Sequence, residues 1–312
     1  MKSILFSLPL LLLVFACSEN KPVEKPVVLE TFKDKLSYSL GADHARAISE
    51  SGDPYFEKYD IDAMVKGFEA GLKNENAFDE SCKGLMQKLY GPNGQQFDST
   101  YAKSGSECLG KLSGVIFMTS WNKKKAMDRM DLQKVAIGFK HGLLKTDTII
   151  NSMEQGTMIQ TFIEDLNKLN GTRLIEKAQK LPNTQATASG LVVETIAAGN
   201  GGHPAPGDDV LAHYILMNSL GDTLQSSFQM VEQYKQPLKA FSLAQVVAGW
   251  QEGMPMMQKG GKYRLYVPFQ LGYGAQGMRN PQTGSYDIQP YETLMFYIEL
   301  IDYGKPRSLT KE

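Results

Sequence analysis

Histidine, tryptophan and cysteine are scarce, with 4 His, 2 Trp and 3 Cys in 312 residues. Neither Cys-x-x-Cys nor His-Glu-x-x-His spacing occurs, which argues against a dedicated metal site and leaves no cofactor implied. An excess of charge of one sign is also missing. Lys and Arg number 33 against 34 Asp and Glu, a formal net charge of −1, so there is no general electrostatic reason to bind nucleic acid or an anionic membrane surface. The apolar segment at the start, Ile4 to Ala16 broken by Ser7 and Pro9, is too short to span a bilayer as a helix, but it suits a secretory h-region behind Lys2. A hydrophobic fraction of 42% and a charged fraction of 21% are ordinary for a globular protein, and the length allows two cores.

Val14-Phe15-Ala16-Cys17 resembles a bacterial lipobox, so Cys17 is the expected lipidation site and residues 1–17 the expected leader. Ser18 after that cysteine resembles the sorting pattern for the outer membrane, which places the protein in the cell envelope, facing the periplasm. Residues 18–31, rich in Lys, Pro and Glu, read as an extended linker. Cys82 and Cys108 remain; in an oxidising compartment they form a disulfide or stand as separate thiols, and the sequence leaves both open.

From Phe32 to about Leu181 the pattern is helical. Leu36, Leu40, Ala47 and Ile48 recur at helical spacing, as do Met64, Phe68, Gly71 and Leu72. Ser152-Met153-Glu154-Gln155 has capping-box form and opens a long helix with Met153, Ile159, Phe162, Ile163, Leu166 and Leu169 on its apolar stripe. Pro182 ends that helix, and Gly171 is a weak point within it. A faint repeat matches Asp60-Ile61, Gly67-Phe68 and Gly71-Leu72 to Asp131-Leu132, Gly138-Phe139 and Gly142-Leu143, with Lys35-Leu36-Ser37 set against Lys111-Leu112-Ser113. Glycines four apart beside an aromatic permit close helix contact.

Beyond Gly190, short β-branched and aromatic runs are punctuated by Gly, Pro and Asp. Leu191–Ile196, Val210–Met217, Tyr263–Val267 and Leu294–Leu300 read as strands, and Leu294, Phe296, Ile298 and Leu300 share one face. Ser242 is positioned to cap a short helix over Leu243–Ala248, the only helical pattern in this half. The fold class is therefore α+β: an all-helical N-terminal region, a long connecting helix, and an antiparallel sheet wrapped around one short helix.

Several motifs of this half, in order, resemble the FKBP family. They are Ser189-Gly190-Leu191 with Ala198-Gly199-Asn200-Gly201, His213-Tyr214, Val246-Val247 with Gly249-Trp250 and Glu252-Gly253-Met254, Tyr266-Val267-Pro268, Leu271-Gly272-Tyr273-Gly274, and Thr293-Leu294 with Phe296. Gly199-x-Gly201-Gly202 is by contrast a turn and not a nucleotide loop. Asp34-Lys35-Leu36-Ser37-Tyr38-Ser39-Leu40-Gly41 is similar to the start of the helical domain in the macrophage infectivity potentiator group of that family. The resemblance implies a helical domain over residues 32–150, where this chain departs from the group by carrying the module twice as two related units, then a connecting helix and linker over 151–186, an isomerase domain over 187–304 and a tail over 305–312.

The resemblance also implies prolyl isomerisation of exported polypeptides, with proline-containing clients as partners, membrane attachment through the lipid alone, and a homodimer made by the helical domain. Trp250 forms the floor of the implied cavity, with Tyr214, Phe241, Val246, Val247, Ile288 and Phe296 as walls. The Tyr273 hydroxyl and the Val247 N–H are the implied donors to a carbonyl flanking the proline. His213 is a structural neighbour. Leu224-Gln225 departs from the family's Phe-Asp, which implies weakened turnover and keeps open a non-catalytic holdase as the rival reading. A longer loop over Met278 to Asp287 bears on which clients fit.

Overall fold

The computed structural model describes residues 27–91, 94 and 96–309, so the expected lipidation at Cys17 lies outside the described residues. Short polar side chains start the helices. Thr31 opens α1 (Phe32–Ser49) with a capping box, accepting the Asp34 N–H while the Asp34 carboxylate accepts the Thr31 N–H. Asp60 caps α2 (Ile61–Lys73) and Asp79 caps α3 (Glu80–Tyr90). Helix α4 (Ala102–Lys123) grows from a 3-10 turn capped by Asp98, and Asp131 caps α5 (Leu132–Leu143). The long α6 (Ser152–Ala178) is capped by Asn151, whose side chain accepts the Glu154 N–H at 2.9 Å, and not by Ser152 as its sequence suggests. Among the described residues no helix is long and apolar enough to cross a membrane.

Four of the first five helices pack as crossed pairs, α1 on α5 and α2 on α4, and α3 lies against α4. A Cβ on Gly41 would run into the Val135 carbonyl, and one on Gly138 into the Tyr38 carbonyl; Gly67 and Gly110 stand in the same way against Glu107 and Met64. The backbones therefore touch, and Phe68 and Phe139 stack between the pairs at 3.8 Å. Leu36, Leu40, Met64, Phe68, Leu72, Val135, Phe139 and Leu143 are all buried in one core. Most of the apolar positions read as helical stripes are thus covered within the chain. The repeat register also differs from the expected one. Ser37 Oγ accepts the Asp131 N–H at 2.8 Å, and Ser106 Oγ accepts the Asp60 N–H at 3.0 Å. Ser37 consequently corresponds to Ser106 and not to Ser113, a slip of about two helical turns that keeps the same helix face and so misleads pattern matching.

Helix α6 belongs to both halves of the molecule. Met158, Phe162 and Leu166 complete the helical core, whereas Met153 and Leu169 of the expected stripe are exposed. Further along, Leu174, Ile175 and Ala178 pack on Val192 and Tyr266 of the sheet. Gly171 does not weaken the helix; the Thr293 side chain sits where its Cβ would be.

The sheet comprises β1 (Thr184–Ala186), β2 (Val192–Ala197), β3 (Asp209–Met217), β4 (Thr223–Ser226), β5 (Ala240–Ser242), β6 (Lys262–Val267) and β9 (Leu294–Gly304), in the antiparallel order β1-β2-β6-β9-β3-β4 with β5 also on β3. β7 (Met278–Arg279) and β8 (Tyr286–Ile288) form a separate hairpin, within the expected long loop. β1 occupies part of the span read as linker. The expected short helix is displaced: α8 is Ala248–Gly253, after α7 (Ser227–Glu232), which periodicity missed. Ser242 is instead strand, paired with Asp209, and the Leu243 N–H goes to Asp208 O. Sheet pairing wins over helical propensity there. Gly249 and Gly253 let α8 lie against Val267 and Leu265.

Cys82 and Cys108 form a disulfide that joins α3 to α4, with Cα atoms 5.3 Å apart. It closes a loop with a sequence separation of 26. Replacing both cysteines by alanine is expected to cost about 3 kcal/mol, seen as a lower urea midpoint. An unchanged midpoint would show that the bridge adds no stability.

Candidate active site

Trp250 stands at the centre of the site, 4% exposed on α8. Three rings meet it edge to face: Tyr214 from β3 at 5.7 Å, Phe241 from β5 at 5.5 Å and Phe296 from β9 at 5.4 Å. Strand alternation explains the convergence. Tyr214 and Phe296 are inward residues of β3 and β9, whose buried positions alternate along each strand. Ile288 from β8 is buried in the same cluster, and Val246, Val247 and Tyr273 pack against it.

The polar groups here are few and available. Trp250 Nε1 is buried without a hydrogen-bond partner among the described residues. Val247 adopts φ −59°, ψ 150° just ahead of α8, and its N–H has no partner among the described residues. Burial raises the pKa of Tyr273; burial, and then the neighbouring Tyr273, raise that of Tyr214. Both phenols therefore remain protonated donors well into the alkaline range.

Eight of the residues expected at the site, namely Tyr214, Phe241, Val246, Val247, Trp250, Tyr273, Ile288 and Phe296, come together in this cluster. Leu224 and Gln225 do not. The β3–β4 register pairs Leu216 with Gln225 and Met217 with Thr223, leaving Leu224 as the extra residue of a β-bulge. Leu224 is 38% exposed and forms no wall. Gln225 is exposed too, and among the described residues it makes no hydrogen bond to Tyr214. His213 stacks on Phe228 at 4.3 Å and contacts Ser227 Oγ at 3.1 Å, a supporting position as expected.

Two features were missed in the sequence. A cavity of about 190 Å³ adjoins Tyr214 and Phe241, walled by Met230, Val231, Pro237 and Leu238. Its signal was Ser226, which caps α7 by accepting the Gln229 N–H. The second is Tyr291, at φ 57°. Its N–H donates to Gly274 O at 3.0 Å and so fixes the loop that carries Tyr273. From α6, Lys168 Nζ lies 4.0 Å from the Tyr291 ring centre, and Asn167 Nδ2 donates to Pro290 O at 2.9 Å.

Among the described residues, the lining of the cavity beside Tyr214 and Phe241 includes Ser227, Gln236 and Lys239 but no carboxylate, imidazole or thiol. The site is an apolar aromatic cluster, open to a cavity beside Tyr214 and Phe241, with hydroxyl and amide donors next to it, an arrangement suited to binding an apolar group. The family model described as FKBP-type peptidyl-prolyl cis-trans isomerase matches residues 201–301, and that of the domain amino terminal to it matches residues 33–107. A probable FK506-binding protein of Corynebacterium glutamicum is 34% identical over 112 residues, 36% of this chain and 85% of that protein. The outer membrane protein MIP of Legionella longbeachae is 27% identical over 282 residues, covering 89% and 88%. The FKBP-type isomerase FkpA of Escherichia coli (strain K12) is 33% identical over 136 residues, 44% of this chain and 46% of that protein, so the match spans about half of that relative's length. The chain belongs to the FKBP-type peptidyl-prolyl cis-trans isomerase family.

Because both phenols are pushed above their ordinary range, affinity for a proline-containing peptide is expected to be flat from about pH 6 to 9. Tyr273→Phe is expected to weaken it by about 1 kcal/mol. Calorimetric titration across pH checks both; a midpoint near neutrality would show that another group controls binding.

Proposed function

We propose that this protein is a peptidyl-prolyl cis-trans isomerase that assists the folding of exported polypeptides. The observation that carries the reading is the Trp250-centred box of Tyr214, Phe241 and Phe296, with Tyr273 and the free Val247 N–H beside it. Rotation about an X-Pro amide meets a barrier of roughly 18–20 kcal/mol, set by lost resonance. The twisted amide is less polar than either planar form, since its nitrogen has left conjugation with the carbonyl. A dry aromatic box receives the proline ring and favours that twisted form, while Tyr273 and Val247 orient the flanking carbonyls. No acid, base or covalent intermediate enters.

Turnover is weak in this reading, because Leu224 and Gln225 are exposed and give the Tyr214 hydroxyl no charged acceptor. A loss of about 1–1.5 kcal/mol in the transition state is roughly tenfold in rate. The same two residues favour the second reading, a holdase that clasps proline-containing segments without turnover. The disulfide Cys82–Cys108 supports an oxidising, extracytoplasmic setting, and an anchor at Cys17 in the cell envelope, on the outer membrane facing the periplasm, fits it.

In a protease-coupled peptide assay the chain is expected to accelerate isomerisation measurably, and Leu224→Phe with Gln225→Asp to raise kcat/KM about tenfold. Absence of catalysis in both proteins, with peptide binding intact, would leave the holdase. Cys17→Ser is expected to move the protein from the membrane fraction to the soluble periplasm; retention in the membrane would rule out the anchor.

A further inference from the structure

The helical half is built twice. Helices α1, α2 and α3 have counterparts in α4, α5 and α6, and their contacts map onto each other at constant spacing. Gly41 meets the Val135 carbonyl as Gly110 meets that of Met64; Gly138 meets Tyr38 as Gly67 meets Glu107; Gly142 meets Ala42 as Gly71 meets Lys111. Residues of α1 and α4 are related by a shift of 69 (37 to 106, 41 to 110, 42 to 111), and those of α2 and α5 by 71 (60 to 131, 67 to 138, 71 to 142). The 3-10 turns Phe56–Lys58 and Met127–Arg129 obey the second shift. The third helices correspond as well. Their caps are Asp79 and Asn151, and Gly84-x-Met86 falls on Gly156-x-Met158.

Two contacts join residues to their own counterparts. Phe68 stacks on Phe139, and His44 Nε2 lies 2.9 Å from Ser113 Oγ. Self-pairing of this kind occurs only where a two-fold axis passes, so the two units face each other isologously. Each unit leaves its own glycine-lined backbone for the other, since α1 packs on α5 and α2 on α4. The family model for the amino-terminal domain matches only residues 33–107, leaving the remainder of the second unit unassigned.

We infer that residues 102–178 are a second copy of the module in residues 32–91, occupying in the same chain the place that a second copy of the chain would fill. The first unit's surface fits a partner of its own kind, and that partner is tethered in cis. The protein is therefore a monomer with a pseudo-two-fold helical core and one isomerase arm. Only the second unit's third helix is extended, α6 running on to Ala178 while its counterpart α3 stops at Tyr90. Tyr55, Tyr59, Tyr90 and Phe97 close the end from which another arm would leave.

Light scattering on the full chain lacking only its N-terminal apolar segment tests the inference without any core substitution. The mass of one chain, and a Tm independent of protein concentration over about a hundredfold range, are expected. The mass of two chains, or a Tm that rises with concentration, overturns it. The duplication is tested separately by Ser37→Ala and Ser106→Ala, which remove corresponding hydrogen bonds to Asp131 and Asp60. Similar falls in Tm from the two are expected; a clear fall from one and none from the other overturns the equivalence. Peptide isomerisation enters neither readout, so failure here leaves the catalytic reading standing.

Discussion

The burial of α6 on two different surfaces is the constraint on which the architecture turns. Its first turns place Met158, Phe162 and Leu166 in the helical core; its last turns place Leu174, Ile175 and Ala178 on the back of the sheet. No single 3.6-residue stripe serves both, so the apolar face shifts along the helix. Where it shifts, Asn170 and Gly171 are buried: the amide of Asn170 donates to Lys124 O, and Gly171 admits Thr293. A larger residue at 171 would push the sheet away from the helix. The exposed ion pair between Lys123 and Asp222 spans the same junction, but at such exposure it adds little beside the packing.

Much of the fold was legible because periodicity and burial agree in its long elements. The strands Val210–Met217 and Leu294–Leu300 alternate inward and outward as their sequences do, and Met64, Phe68 and Leu72 mark the buried face of α2. The clustering of the candidate site residues was legible through motif and not through pattern, since alternation alone marks Phe296 only as an inward residue of its strand. The errors have physical causes. Leu243–Ala248 reads as helix by composition, but pairing of Ala240–Ser242 with β3 consumes its start. Leu224 was placed at the site by the resemblance alone, and the bulge in the β3–β4 pairing leaves it exposed. The helical repeat was visible at Gly67, Gly71, Gly138 and Gly142, yet a seven-residue slip (113 against 106) in its other half preserved helical phase and hid the correspondence of Ser37 with Ser106.

The same docking that fixes α6 also reaches the cavity. Asn167 and Lys168 hold Pro290 and Tyr291 from one side; the Tyr291 N–H holds Gly274 from the other, next to Tyr273. Phe269, which begins the turn before Tyr273, meets the Tyr291 ring edge to face at 5.2 Å. Tyr291 keeps a left-handed backbone at φ 57° in the middle of these contacts, a conformation that costs about 1 kcal/mol or more for a residue with a Cβ. Its surroundings must over-determine it, and two of them, Asn167 and Lys168, come from α6. The helical half thus braces the loop that carries Tyr273.

A site that works without acid, base or nucleophile, as proposed here, can accelerate a reaction only by holding its transition state better than its ground state, so rigidity counts for more than in a site with a nucleophile. A proline ring can be discriminated by shape only if the aromatic box does not relax around it, and the edge-to-face contacts of Trp250 with three rings oppose that relaxation. The groups proposed to donate to the substrate carbonyls need the same fixity. Val247 gains it from the start of α8, where its carbonyl accepts the Trp250 N–H at 2.9 Å, and Tyr273 gains it from the loop pinned by Tyr291. The side of the cavity near β4 lacks such support, because the bulge at Leu224 leaves that residue and Gln225 in solvent. In the proposed reading, binding strength and catalytic strength would therefore be set on different sides of this site: the side braced by α8 and Tyr291 would recognise the proline, and the side near Leu224 would limit how well the twisted amide is told apart from the planar one.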